Sequence, residues 1–191
     1  MRLPADDPRH VAVQADLRHW LEQAVIGLNL CPFAKGVHVK GQIHWVVSDA
    51  RDGETLRDDV RAELLALAES DPEQRDTTVL AAPWCLADFL DFNDFLDEAD
   101  AVLEELELDG TLQIANFHPH YQFADTDEDD VGNNSNRAPY PVLHLLRESS
   151  IDRAVAAYPE AEMIYERNIE ALERLGAAGW AALNIRRSVG E

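Results

Sequence analysis

Three short β-rich runs, set between long stretches of helical periodicity, constrain this chain more than any other feature. Residues 43–47, 78–82 and 111–116 carry the branched and aromatic side chains that suit a pleated, half-buried surface. Ahead of the first run, Val13, Leu17, Trp20, Leu21, Ala24 and Leu28 recur at helical spacing. Asp7 and Pro8 supply a capping carboxylate and a first-turn proline for that helix, which is expected to end near 27–29. Leu56, Val60, Leu64 and Leu67 form the stripe of a second helix, with Thr55 and Asp58 as its capping pair and a stop by 71–72. Phe89, Leu90, Leu96, Ala99, Leu103 and Leu106 mark a third, starting near Leu86. Its outer face, with Asp88, Asp91, Asp94 and Asp97, reads as solvated. Such alternation predicts an α/β fold: a single domain over 1–191, at least three mainly parallel strands alternating with helices, and additional C-terminal helices. The latter are expected over 142–147, after Ser149 or Ser150, and over 160–175 with Gly176 as the stop. Residues 1–6 and 187–191 are expected to be loose tails, and 124–139 a long loop or lid.

In parallel sheets, ligands bind beyond the carboxyl ends of the strands. That rule predicts that Ser48-Asp49, Trp84-Cys85 and His118-Pro119-His120 meet in one crevice. The third stretch is the richest, running Asn116-Phe117-His118-Pro119-His120-Tyr121-Gln122. If the chain stays extended there, both imidazoles point to one side. Two co-facial imidazoles suit acid–base or nucleophilic work, and they equally suit a divalent transition metal. Asp125, His144 or Cys85 would complete a metal shell on His118 and His120. The acidic run after Asp125 begins like a calcium loop, but Asp130 stands where the turn glycine belongs and Asn136 where the glutamate belongs. We therefore read the run as a mobile, solvated part of a lid.

Charge narrows the partner. The chain has 37 acids against 16 bases, a net charge of -21, which excludes a phosphate-backbone face and disfavours anionic membranes. No apolar run approaches the ~20 residues of a bilayer span. The N-terminal stretch lacks the apolar core of a signal peptide, so a cytoplasmic location is expected. No Lys or Arg occurs between Arg75 and Arg137. Arg137 and Arg147, the first bases after the histidines, are expected to clamp an anionic substrate, with Asn116, Asn134 and Asn136 as amide partners. Neutralising the neighbouring acids is their competing role. Cys31 and Cys85 are too few for a disulfide framework. Cys85 is expected at a helix N-terminus, where the amides would lower its pKa. Both cysteines also read as small core residues.

The string His118-Pro119-His120-Tyr121-Gln122 resembles the His-Pro-His-x-Gln motif of the galactose-1-phosphate uridylyltransferases. That resemblance implies His120 as nucleophile and Gln122 as the residue holding the phosphoryl group. Over most of its length the chain resembles the uncharacterised family called domain of unknown function 1415. The matching stretches run from Trp20-Leu21-Glu22 to Asn29-Leu30-Cys31-Pro32-Phe33-Ala34, then Asn116 to Phe123, then Asn134 through Arg137-Ala138-Pro139-Tyr140-Pro141 to His144-Leu145-Leu146-Arg147. This second resemblance implies no reaction.

The expectation is an enzyme, a transferase or hydrolase, acting on a small anionic metabolite, with phosphorylated compounds among the candidates. His120 would be base or nucleophile and His118 its partner. A metal-dependent hydrolase and a non-enzymatic protein-binding module are the alternatives. Trp84 and His144 are further candidates for the site.

Overall fold

In the computed structural model, which describes residues 6–190, the helix–strand alternation is realised around one four-stranded sheet. Helix α1 (Pro8–Trp20) begins as its sequence dictates, with the Asp7 carboxylate accepting from Arg9 N–H and Pro8 in the first turn. It runs on into a π-helical turn, Leu21–Ile26, and ends before Asn29, which takes a left-handed φ of 55°. A short α2 (Ala34–Val39) leads to β1 (Ile43–Val47). Then come α3 (Gly53–Glu69), β2 (Thr77–Ala81), α4 (Phe89–Glu105) and β3 (Leu112–Phe117). Two expected caps shift: Asp52 Oδ1 accepts from Thr55 N–H to open α3, and Asp88, expected on the solvated face, caps α4.

The main correction lies at Val142–Arg147. This run, expected as a helix, is strand β4. A six-residue apolar run cannot be told from a helical segment by periodicity alone. Here it is settled by pairing on both sides, with β2 and with β3. The sheet order is β1-β2-β4-β3, with β1 and β2 parallel and both pairings of β4 antiparallel. The sheet is thus mixed and not mainly parallel. β1, β2 and β3 nevertheless run in one direction, because β3 is reversed twice relative to β2. Residues Val47, Ala81, Val142 and Phe117 form one row across the sheet. The segments after β1, β2 and β3 therefore leave from the same edge.

Alternating rows feed two apolar layers. Leu80, Leu143 and Leu145 face α3 and α4, where Leu56, Val60, Leu64, Phe92, Ala99 and Val102 are buried. Val79, Ala81 and Val142 face α1 and the π-helical turn, through Val13, Leu17, Trp20, Leu21 and Ala24. After β4 come α5 (Glu148–Ala157) and α6 (Ile164–Ala182). Gly176, expected as a stop, breaks α6 with φ 66° and ψ 174°, and the helix resumes beyond it. Of the expected loose tails, residues 1–5 and 191 lie outside the described residues. The stretch 187–190 is not loose: Ser188 N–H donates to Asp16 Oδ2 at 2.7 Å, and Val189 N–H to the Tyr140 hydroxyl at 3.2 Å.

Candidate functional site

Where β3 leaves the sheet, His118-Pro119-His120-Tyr121 forms a tight turn, with Tyr121 N–H donating to the His118 carbonyl at 3.1 Å. Proline at the second position, with its fixed φ, favours such a turn over the extended geometry expected from sequence. The two histidines accordingly part company. His118 is fully buried, its ring lying 5.4 and 5.0 Å from the rings of Phe89 and Phe92. Its Nδ1 accepts the backbone N–H of His120 at 3.0 Å. Nε2 lies 3.0 Å from the Leu86 carbonyl, so it must carry the proton and donate. Burial, the dominant cause, pushes the imidazole down to about 4. His118 thus holds the backbone of His120 from inside, while the His120 side chain is exposed.

The segment that follows is ordered by its own polar side chains. Asn133, fully buried, accepts from Phe123 N–H and Thr126 Oγ1, both at 3.0 Å, and donates to the Asp127 carbonyl at 2.9 Å. Arg137 donates to the carbonyls of Tyr121 (3.1 Å) and Glu128 (2.7 Å) and, at 3.5 Å, to Asn134 Oδ1. Asn136 ties the segment to β3, its carbonyl accepting from His118 N–H and its Nδ2 donating to the Asn116 carbonyl. Gly132 fits here because a Cβ would meet Ile169 Cδ1 of α6 at 2.9 Å. The expected mobile lid is a hydrogen-bonded wall, with the side chains of Asp125, Asp127, Glu128 and Asp129 exposed on its outside.

His120 stands between two recesses. One, of about 550 Å³, is lined by Asp88, Phe89, Leu90, Gln122 and Glu128. The Gln122 amide donates to the Thr126 carbonyl at its rim. The other, of about 460 Å³, is lined by Asn134, Arg137, Trp180, Arg186 and Arg187, with Asp129 as the one acid among the described residues that line it. Both volumes fall in the range of small-ligand sites. Elsewhere, arginines meet carboxylates: Arg57 and Arg61 pair with Glu105, Arg75 with Glu63, and Arg167 with Glu160. Among the described residues, none of Arg137, Arg186 and Arg187 makes an ion pair. Arg186 faces the Asn184 amide, whose oxygen, in the orientation that satisfies both groups, accepts from its Nη2 and Nε at 3.0 and 3.1 Å. Arg187 donates to the Val189 carbonyl and lies 5.6 Å over the Tyr140 ring. Sequence reasoning missed both. The available signal was that they are the chain's only adjacent basic pair, in a molecule of net charge -21.

The family described as "Protein of unknown function (DUF1415)" matches residues 12–182, which include all four strands, the wall and nearly all of both flanking helical layers. The chain belongs to that family. Comparison with curated proteins and with solved structures returned no match. In this DUF1415 member, Arg186 and Arg187 lie just beyond the matched region.

Several expected site residues are placed elsewhere in the DUF1415 fold. Arg147 pairs with Leu112 at the opposite end of the sheet from Phe117, about 16 Å away at ~3.3 Å per residue. Its guanidinium is buried, donating to the carbonyls of Leu67 (2.6 Å) and Ser70 (2.7 Å). It therefore does not share the His120 groove. His144 sits within β4, its Nε2 2.6 Å from Thr77 Oγ1, and burial pushes it down to about 4. Asn116 Oδ1 is buried without a partner among the described residues. Trp84 stacks on His10 and carries Arg51 over its ring; with β4 inserted, it lies two strands from His118. Among the described residues, no three His, Cys, Asp or Glu side chains converge as metal ligands, and both His118 nitrogens are engaged. No described helix is long and apolar enough to cross a membrane.

Cys85 is four residues ahead of α4, not at its N-terminus. Burial, then Asp52 and Asp59, push its thiol up to about 11, opposite to the expected direction. Burial also raises Cys31. At pH 8, Cys85 should react with iodoacetamide more than tenfold more slowly than free cysteine, because little thiolate is present. Labelling at the free-cysteine rate, followed by mass spectrometry, would contradict this.

Proposed function

We propose that this protein is an enzyme acting on a small anionic metabolite, a phosphate or carboxylate compound, with His120 as base or nucleophile. The observation that carries the reading is the exposed His120 imidazole sharing one groove with three arginines that lack carboxylate partners among the described residues. Arg186 and Arg187 supply the charge that holds the anion. Of the five N–H donors of Arg137, three are committed to the wall, and the residue also lines the groove. His118 acts through the backbone: by accepting the His120 N–H, it fixes where the His120 ring stands. Gln122, on the other recess, contacts the part of the substrate on that side of His120.

Inorganic phosphate is the first probe. At ten times its Kd it should raise the thermal midpoint by about 3–6 °C over chloride at equal ionic strength. The double variant Arg186→Ala, Arg187→Ala should lose that shift. A screen of phosphorylated and carboxylated metabolites should then yield turnover that His120→Ala lowers about 10²–10⁴-fold. Neither a phosphate-specific shift nor turnover with any member of the pool would reject the reading.

A further inference from the structure

The segment after α6, residues 183–190, returns across α1 to the groove. Leu183, Ile185 and Val189 pack against the α1 layer, and one buried carboxylate ties the end of the segment down. Asp16 on α1 is 5 % exposed, and three donors converge on it. Ser188 N–H reaches Oδ2 at 2.7 Å, Ser188 Oγ reaches Oδ1 at 2.8 Å, and the Tyr140 hydroxyl reaches Oδ2 at 2.7 Å. Tyr140, fully buried, accepts Val189 N–H in return. Hydrogen bonds to an ionised acceptor are roughly twice as strong as neutral ones. The tie binds from both ends, since a buried carboxylate stripped of partners is strongly unfavourable. Arg186 and Arg187 are the two residues immediately before Ser188, and both line the His120 groove.

We propose that Asp16, acting through Ser188 and Tyr140, is a positioning residue for the anion site, mooring residues 183–190 as a strap that holds Arg186 and Arg187 against the groove beside His120. The proposal rests on the reading of that groove as an anion site. Asp16 itself touches no ligand. Its effect is pre-organisation: two long side chains on an unmoored segment would have to be ordered when the anion arrives, and the mooring orders their backbone beforehand.

Ser188→Pro removes both Ser188 donors without touching the core, and Ser188→Thr keeps them. Asp16→Ala attacks the mooring from the other side. Hydrogen exchange of the amides in 184–189, read by mass spectrometry, reports the strap without any ligand. Calorimetric titration with inorganic phosphate reports the site. Ser188→Pro should exchange at least tenfold faster across the strap and bind phosphate at least tenfold more weakly, at unchanged circular dichroism. Ser188→Thr should match the wild type in both. Exchange at the wild-type rate in Ser188→Pro overturns the mooring. Faster exchange with unchanged phosphate affinity overturns the positioning role. A wild type that binds no phosphate overturns the anion reading, and this proposal with it, before any variant is compared. If Asp16→Ala fails to fold, Ser188→Pro alone decides.

Discussion

Arg147→Met is expected to lower the unfolding free energy by about 3 kcal/mol or more while leaving phosphate binding unchanged. The loss follows from what the guanidinium touches. Nη2 lies 2.6 Å from the Leu67 carbonyl, 2.7 Å from the Ser70 carbonyl, 3.1 Å from Ser70 Oγ and 3.2 Å from the Arg75 carbonyl. Leu67 and Ser70 stand at the end of α3, where the helix dipole is negative and only the Leu67 carbonyl is capped, by Ser70 N–H. A cation there satisfies several acceptors at once. Methionine fills similar volume but donates nothing; the Leu67 carbonyl keeps Ser70 N–H and Oγ as donors, so the Ser70 and Arg75 carbonyls are the ones left bare, at about 1–3 kcal/mol each. Arg147 Nε, buried without a partner among the described residues, offsets part of that gain in the native protein. Urea unfolding gives the change in midpoint. A shift worth under about 1 kcal/mol, or a loss of phosphate affinity in the folded variant, would contradict the assignment.

Why the sequence placed Arg147 in the clamp is instructive. The three predicted strands were legible to within a residue because each combines β-branched side chains with flanking turn residues, and β1 was read at its observed bounds. The opening of α1 was legible for a similar reason, since Asp7-Pro8 is a local cap signal. Val142–Arg147 carries no such local signal. Leu, His and Leu again suit either conformation, and two neighbouring strands decide. Once that run became a strand, its direction sent Arg147 to the far end of the sheet. The shared edge of β1, β2 and β3 survived, because insertion of one antiparallel strand leaves their common direction intact.

The candidate site was half legible. His120 and Arg137 were expected in it and do share a groove. The buried role of His118 was not legible, because it depends on Leu86, Phe89 and Phe92 reaching it from the other side of α4's entry. Arg186 and Arg187 were hidden for a different reason. Arg187 fell in the expected 187–191 tail with Arg186 just before it, and neither the packing of Leu183, Ile185 and Val189 on the α1 layer nor the tie to Asp16 shows in the local pattern.

Acid should destabilise this protein well above the carboxylate range. His118 and His144 are both pushed down to about 4, from an ordinary 6.5, with burial as the leading cause. The hydrogen bonds give the same direction. Protonating His118 would put a second proton at Nδ1, facing the His120 N–H that it now accepts. Thr77 Oγ1 donates to the Leu145 carbonyl at 2.7 Å, so His144 Nε2 must donate to Thr77 and is already protonated in the neutral ring. In the unfolded chain both rings take a proton near 6.5; in the folded chain they refuse it until about 4. Between those values the unfolded state binds more protons, so stability present above pH 6.5 is lost as pH falls toward 4. Near pH 5 the slope should approach two protons, about 2–3 kcal/mol per pH unit. An opposing contribution exists on the acidic helix face, where burial and then the neighbouring Asp97 and Glu104 raise Asp100. Protonation there favours the native state, but equally in wild type and variant. His144→Gln keeps an N–H donor for Thr77 and cannot titrate, so it isolates the histidine term. Urea midpoints at pH 7, 6, 5 and 4 should fall about half as steeply in His144→Gln as in wild type. Equal slopes would remove His144 from the account, and a wild type whose midpoint stays flat from pH 6.5 to 5 would remove both rings.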